Sequence, residues 1–259
     1  MPELTRTVRF CLRGDGSLDA EARCDNGFAA WPPMRGLGRY YELVVTCRGE
    51  IDDQTGYMVN IKDIDEAARA EALPRIAEAA QSGDDEAIGG LLARLFAPLN
   101  ARLPWPVARL TLQLTPTAAI TMEDHAMASV LLSQRFDFSA AHRLHVPELD
   151  AEENRRIFGK CNNPSGHGHN YQLDVTVRAA VGDDGRVMPI AALDAIVKRH
   201  VLDAYDHMHF NCDVADFEGL NPSTENIARQ AYRRLAEPVA GEGAELVSVR
   251  VWETDRTAC

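Results

Sequence analysis

The stretch GHGHNYQLDVTVRAAVGDDGRVMPIAALD, residues 166–194, decides how the chain is read, because GLGRYYELVVTCRGEIDDQTGYMVNIKDID at 36–65 matches it at a constant offset of 130. Gly36 falls over Gly166, Gly38 over Gly168, Tyr41 over Tyr171, Leu43 over Leu173, Thr46 over Thr176 and Arg48 over Arg178. An internal repeat at about half the chain length predicts a fold made of two copies of one unit. In both copies apolar and polar residues alternate after the glycines, which is the period of a strand.

Working outward, residues 4–13 alternate as a strand, and 14–35 are rich in turn formers, with Gly14-Asp15-Gly16 and Trp31-Pro32-Pro33. After the strand at 36–48, Ile64–Gln81 and Glu86–Arg102 have the apolar spacing and Ala/Leu/Glu/Arg content of helices, broken at Ser82–Asp85. Residues 107–122 read as two strands hinged at Thr115-Pro116. The second copy repeats this order. Strand 130–140 leads through a loop at 145–160 into strand 169–181, turned at Gly182–Gly185. Helices follow at 190–203 and 223–237, the latter opened by Pro222-Ser223-Thr224-Glu225, where a Ser or Thr caps free amides. Strand 245–253 comes last, and the residues up to Cys259 leave no room for a full final strand. The unit order is strand, strand, helix, helix, strand, strand, with the copies at 1–125 and 126–259.

The copies differ in chemistry. In GKCNNPSGHGHNY (159–171), His167 and His169 sit two apart on a strand, which puts both imidazoles on one face. Two histidines on a strand often only solvate, but glycine on both sides of His167 bares the backbone, and seven of the eight histidines lie at or after position 142. We read the pair as a metal edge. Cys161 folds back over it on the Asn162–Gly166 turn, which hangs a thiol beside the metal. Catalytic zinc takes three protein ligands and leaves a position for water or substrate, and His142 in FDFSAAHRL is the best candidate for the third. In the first copy Leu37 stands at the place of His167 and Arg39 at that of His169, with no histidine before His125. Its metal site is gone.

Composition bounds the function. A chain of 259 residues, 46% hydrophobic, can bury a core. A net charge of −12 argues against nucleic acid, whose binding rests on neutralising phosphates. No apolar run approaches the roughly 20 residues of a membrane helix, and MPELTRTVRF lacks the apolar core of a signal peptide; the expected location is cytoplasmic. The six cysteines (Cys11, Cys24, Cys47, Cys161, Cys212, Cys259) form no C-x-x-C pair and are expected to be reduced thiols. An anionic small substrate would need local basic groups, and Arg143, Arg155, Arg156 and Lys160 surround the motif, although any one of them could equally be a solvated loop residue.

With FDFSAAH (136–142), GKCNNPSGHGHNY (159–171), DH (206–207), STENIA (223–228) and VWETD (251–255) in this order, the second half resembles the 6-pyruvoyl-tetrahydropterin synthase family, which includes the 6-carboxytetrahydropterin synthases. The resemblance implies an α+β fold, a tandem T-fold (tunnelling fold) in which each ββααββ unit has an antiparallel sheet and two helices on one face. It implies zinc (Zn2+) on His142, His167 and His169, Cys161 as catalytic thiol, and Asp206 and His207 as an acid/base pair, with His209 a rival base. Glu253 would anchor the pterin, with Thr224 and Glu225 in a pterin-side stretch; His125, His145 and His200 are left as structural. The implied reaction converts 7,8-dihydroneopterin triphosphate to a 6-pyruvoyl- or 6-carboxy-tetrahydropterin with release of triphosphate. A thiolate beside zinc and a histidine would have a lowered pKa and serve near neutrality. In the family, thiol and Asp-His pair come from adjacent subunits of a ring, which here implies a homotrimer of tandem units with second halves beside second halves. The competing reading is a non-catalytic pterin-binding or scaffold protein that kept fold and zinc.

Overall fold

In a computed structural model, which describes residues 1–18, 37–83 and 87–259, β1 (Glu3–Leu12) and β2 (Arg39–Arg48) pair antiparallel from Glu3↔Arg48 to Leu12↔Arg39. The readings at Cys24, Trp31-Pro32-Pro33, Gly36 and Asp84–Glu86 lie outside the described residues. Alternation puts Val8, Phe10 and Leu12 with Leu43, Val45 and Cys47 on one buried face. The chain then forms α1 (Ile61–Ala67), opened by the Asn60 side chain accepting from the Lys62 N–H. A π turn at Ala68–Ala72 leads into α2 (Leu73–Ser82), which Gly83 ends in the left-handed region, and α3 (Ile88–Asn100) follows. Ile64, Leu92, Leu95 and Leu99 are fully buried. β3 (Val107–Thr115) and β4 (Ala118–Glu123) complete the order β1-β2-β3-β4.

The second unit opens with β5 (Ser129–His142), α4 (Ala151–Phe158) and β6 (His167–Ala180). α5 (Ile190–Val197) continues through a π turn, Lys198–Leu202, into the short α6 (Asp203–Tyr205). Then come β7 (Met208–His209), which pairs parallel with β5, α7 (Phe210–Asp213), α8 (Thr224–Gly241), β8 (Glu245–Thr254) and β9 (Thr257–Ala258). Its sheet order is β5-β6-β8-β9, with Leu173 opposite Val251. Ser223 caps α8. A cap contributes about 1 kcal/mol, whereas each large apolar side chain buried adds about 1.5–3; the stripe Ile227, Ala231, Leu235 and Val239, all fully buried, therefore holds this helix more than its cap does. The compact units are Met1–Leu132 with Ala179–Val187, and Ser133–Arg178 with Met188–Cys259.

The two units share irregularities as well as order. The β2–β3 ladder shifts register between Thr46 and Cys47, and the β6–β8 ladder between Thr176 and Val177. Both first helices widen into a π turn, at 68–72 and 198–202. Thr46 Oγ1 lies 3.0 Å from Thr5 Oγ1, and Thr176 Oγ1 lies 2.9 Å from Ser133 Oγ. Both chains of elements follow the ββααββ order of a T-fold.

The stretch 145–160, expected as loop, contains α4. Asp150 accepts from the N–H groups of Glu152 and Glu153, 2.8 Å each, and the helix runs from those acids to Arg155 and Arg156, in the sense that suits its dipole. Asn154, fully buried, accepts from the Val146 N–H and donates to the carbonyls of Val146, Leu149 and Asp150. After β8, β9 has two residues, and Val251 and Cys259 exchange backbone hydrogen bonds. The five described cysteines are free. No helix among the described residues is long and apolar enough to cross a membrane.

Candidate metal centre and active site

In the second unit the core-facing rows run out into histidine. β5 turns Phe138, Ala140 and His142 inward, and β6 turns His167, His169, Tyr171, Leu173 and Val175 the same way. Core packing fixes the apolar part of each row, so the imidazoles at its end meet without a loop to place them. The ligand atoms of His142, His167 and His169 all lie within 4.8 Å of one another, and ring centroids are 4.6–5.1 Å apart.

His142 is fully buried, and its Nδ1 donates to the Pro222 carbonyl at 2.7 Å. That bond fixes the tautomer and leaves Nε2 with a lone pair. Nε2 sits 3.2 Å from Nε2 of His167, while Nδ1 of His167 and Nε2 of His169 are buried without a hydrogen-bond partner. Glu253 Oε1 lies 3.4 Å from His142 Nε2 and 3.6 Å from His169 Nε2. Lone pairs and a carboxylate converging in this way need a positive charge among them. Burial holds the pKa of both His142 and His169 below the ordinary value, with the other imidazoles adding to it and the Pro222 carbonyl and Glu253 opposing. The rings are thus neutral, the state in which imidazole binds metal. Neutral nitrogens with one carboxylate nearby fit the ligand preferences of zinc.

Cys161 lies in the 3-10 turn Gly159–Asn162 that follows α4. Its carbonyl accepts from the Leu144 N–H at 2.9 Å, and the Asn162 side chain donates to the Leu144 carbonyl and to His145 Nδ1. The turn is thereby tied to the chain just beyond His142. Cys161 shares a cavity of about 890 Å³ with His167, His169, Arg143, Arg155 and Lys160. In the chain's own field burial, and then the Glu253 charge, push the Cys161 thiol up, so the lowered value expected beside zinc would have to come from the metal's charge.

Asp206 and His207 are elsewhere. They follow α6, with His207 Nδ1 3.0 Å from Asp206 Oδ2 and the His207 side chain 81% exposed. Asp206 Oδ1 accepts from the Ser139 N–H, and the His207 N–H donates to the Ser139 carbonyl at 2.6 Å. The Ser139 amide, more than the His207 ring, draws the Asp206 pKa down. His207 has φ +61, the only positive value outside glycine among the described residues, a conformation that costs about 1–3 kcal/mol. His207 lines a separate cavity of about 460 Å³ with Ser139, Asn170, His209 and Asp213; His169 borders both cavities. The structure therefore brings His142, His167, His169, Glu253 and Cys161 together, and leaves His207 in the adjoining cavity and Asp206 outside both. Thr224 is buried in the first turn of α8, and Glu225 is exposed and turned back toward Ser223; neither lines these two cavities. The stretch that carries them does support the site, through the carbonyl of Pro222. Sequence reasoning missed Pro222 and Ser139, since their contacts are made by backbone atoms, which carry no residue-type signal.

Known proteins match this half of the chain. The family model described as 6-pyruvoyl tetrahydropterin synthase matches residues 131–259. The human 6-pyruvoyl tetrahydrobiopterin synthase is 41% identical over 125 residues, 48% of this chain and 85% of that protein. The enzyme of the same name from Dictyostelium discoideum is 43% identical over 101 residues, 39% of this chain and 73% of that protein. The solved structure of Caenorhabditis elegans 6-pyruvoyl tetrahydropterin synthase aligns with a TM-score of 0.47 at 36% identity, covering 51% of this chain and 93% of that one. With this degree of identity over most of the human protein's length, the chain belongs to the 6-pyruvoyl tetrahydropterin synthase family.

Proposed function

We propose that the protein is a zinc-dependent enzyme that converts 7,8-dihydroneopterin triphosphate to a 6-substituted tetrahydropterin, 6-pyruvoyl or 6-carboxy, with loss of triphosphate. The observation that carries the proposal is the convergence of His142, His167 and His169 at the end of the core, with Cys161 in the same cavity, in a chain of this family. Zinc held by the three imidazoles supplies Lewis acidity to the substrate's side-chain hydroxyls, which eases loss of protons from the adjacent carbons. The chain's own residues do the rest. Cys161 Sγ moves one proton, and His207, oriented by Asp206, moves the other. Glu253 takes hydrogen bonds from the pterin amino group and ring N–H, which rejects analogues lacking those donors, and Thr224 and Glu225 belong to the same pterin-side stretch. Arg143, Arg155 and Lys160 give the cavity a positive wall in a chain whose net charge is −12.

Because Cys161 and His207 line different cavities, a complete site draws them from different copies. This supports a cytoplasmic homotrimer in which second units adjoin one another. Residues 1–125 serve as a unit without metal: Leu37, at the place of His167, is fully exposed. Purified protein incubated with dihydroneopterin triphosphate, with products and triphosphate identified by mass spectrometry and zinc counted per chain, tests the reading. A 6-substituted tetrahydropterin and one zinc per chain are expected. Zinc with no product would favour the scaffold alternative, and no zinc would remove the basis of both.

A further inference from the structure

His207 holds a left-handed backbone while its side chain stands in solvent, and a strained residue keeps its conformation only where the surroundings over-determine it. Two bonds to Ser139 and the short β7 pairing with Ala140 and Ala141 are one part of that support. The other part lies two residues upstream. Tyr205 is fully buried, its ring 5.2 Å from Phe210 and 6.0 Å from Phe217, and its hydroxyl donates to Asp216 Oδ2 at 2.8 Å. Arg234, on α8, grips the same carboxylate with two nitrogens, Nε and Nη2, the latter at 2.9 Å. Its Nη1 donates to the His200 carbonyl inside the π turn at 3.2 Å, and the guanidinium carbon lies 5.3 Å from the centre of the Tyr205 ring. Gln230 donates to the Asp216 carbonyl. Helix α8, the 3-10 turn at Ala215–Phe217 and the π turn thus all converge on the residue before Asp206.

We propose that Tyr205, Asp216 and Arg234 form a clamp that positions Asp206 and His207, with the Tyr205 hydroxyl as the link between the ion pair and the pair's backbone. The first unit shows what the π turn does without it. At the offset of 130, Asp206 and His207 fall on Ile76 and Ala77, both buried inside α2, and position 205 falls on Arg75, which pairs with Glu71 one turn back. The helix there runs on. Arg234 and Asp216 are only half-buried, and an ion pair open to water adds little to stability, so stability alone does not account for Asp216 and Arg234, whereas a fixed geometry does. The catalytic meaning of the clamp rests on the acid/base assignment of Asp206 and His207; the clamp itself does not.

Tyr205→Phe removes one hydroxyl and leaves the ring packing in place. It should raise hydrogen exchange at the His207 amide about tenfold, the effect of one lost hydrogen bond, and shift the His207 imidazole resonances. Turnover number should fall about tenfold with KM nearly unchanged, since small misplacement of a reacting group costs rate before binding. Zinc content and the rate of Cys161 alkylation should stay as in the wild type. Arg234→Lys should retain more of both signals than Arg234→Met, and Lys198→Ala, which breaks only the exposed pair with Asp203, should move neither. An unchanged His207 exchange rate and imidazole shift in Tyr205→Phe overturns the clamp, as does a rise in exchange spread evenly over the unit, which would mark a merely structural role. Should the wild type show no turnover, the proposed function fails while the exchange and resonance measurements still decide the clamp.

Discussion

The two glycines that flank His167 should respond oppositely to the same added methyl group. Gly166 has φ +70, and a Cβ there would lie 2.6 Å from His209 Nε2 and 3.0 Å from the carbonyl oxygen of His142. The left-handed backbone costs an alanine about 1–2 kcal/mol, and forcing a packed backbone aside costs about 1–3 more, so Gly166→Ala should lose about 2–5 kcal/mol. At Gly168 the nearest atom would be the Ala140 carbonyl oxygen at 3.5 Å, an ordinary contact without positive φ. Replacing a glycine in a strand recovers about 0.5–1 kcal/mol, which makes Gly168→Ala neutral or slightly stabilising. At about 2–4 °C per kcal/mol for a chain of this size, Gly166→Ala should melt roughly 4–20 °C lower than wild type and Gly168→Ala between its melting temperature and about 4 °C above it. The carbonyl that must give belongs to His142, so zinc affinity should fall in Gly166→Ala alone. Differential scanning calorimetry with a competitive zinc chelator measures both quantities. Equal melting temperatures for the two variants, or equal zinc affinities, would refute the reasoning.

Cys161→Ala should keep fold and zinc and lose about 10²–10⁴-fold in turnover, the range for a general acid–base group; a variant that lost its zinc would make Cys161 a ligand. Inactive Cys161→Ala chains, dissociated and reassembled with inactive His207→Ala chains, should regain activity through mixed sites, and no recovery in verified mixed trimers would count against shared sites. In metal-free protein, His142 and His169 have folded pKa values below the unfolded value of about 6.5. The unfolded chain then binds more protons as pH falls through that value toward the folded pKa, so stability should be full above about 6.5 and decline below it. Urea unfolding at pH 7.5 and 5.5 checks the sign, and a more stable protein at the lower pH would contradict it.

What was legible in the chain was whatever repeats or alternates. The offset of 130 that aligns Tyr41 with Tyr171 also aligns the register shifts after Thr46 and Thr176 and the two π turns, because equal packing demands left equal residues. The histidine pair was legible since a period of two on β6 needs no tertiary knowledge. Helix α4 was misread as loop although Asp150, Glu152 and Glu153 signalled its start; with only eight residues and mean exposure on most of its surface, it lacks the apolar stripe by which longer helices are recognised. The direction of the Cys161 shift was not legible because it depends first on the burial of the thiol and then on Glu253, 92 positions away, reaching the same end of the core. The clamp was not legible for the same reason: nothing in Asp216 or Arg234 as residue types announces that they meet beneath Tyr205.

The histidines stand at the end of the same rows that Phe138, Ala140, Tyr171 and Leu173 occupy, so a metal held by them would plug the apolar interior of its unit. An ion bound there stabilises the folded state by its own mass action, so occupancy and cohesion of the second unit become one variable, and a scarce metal would soften that interior as well as silence its chemistry. The first unit, with Leu37 and Arg39 at the matching places, has no such dependence. Stripping the metal should therefore uncouple the two units' melting, lowering the transition of one and sparing the other, so that a single chain reports its own metal supply as the gap between two unfolding steps.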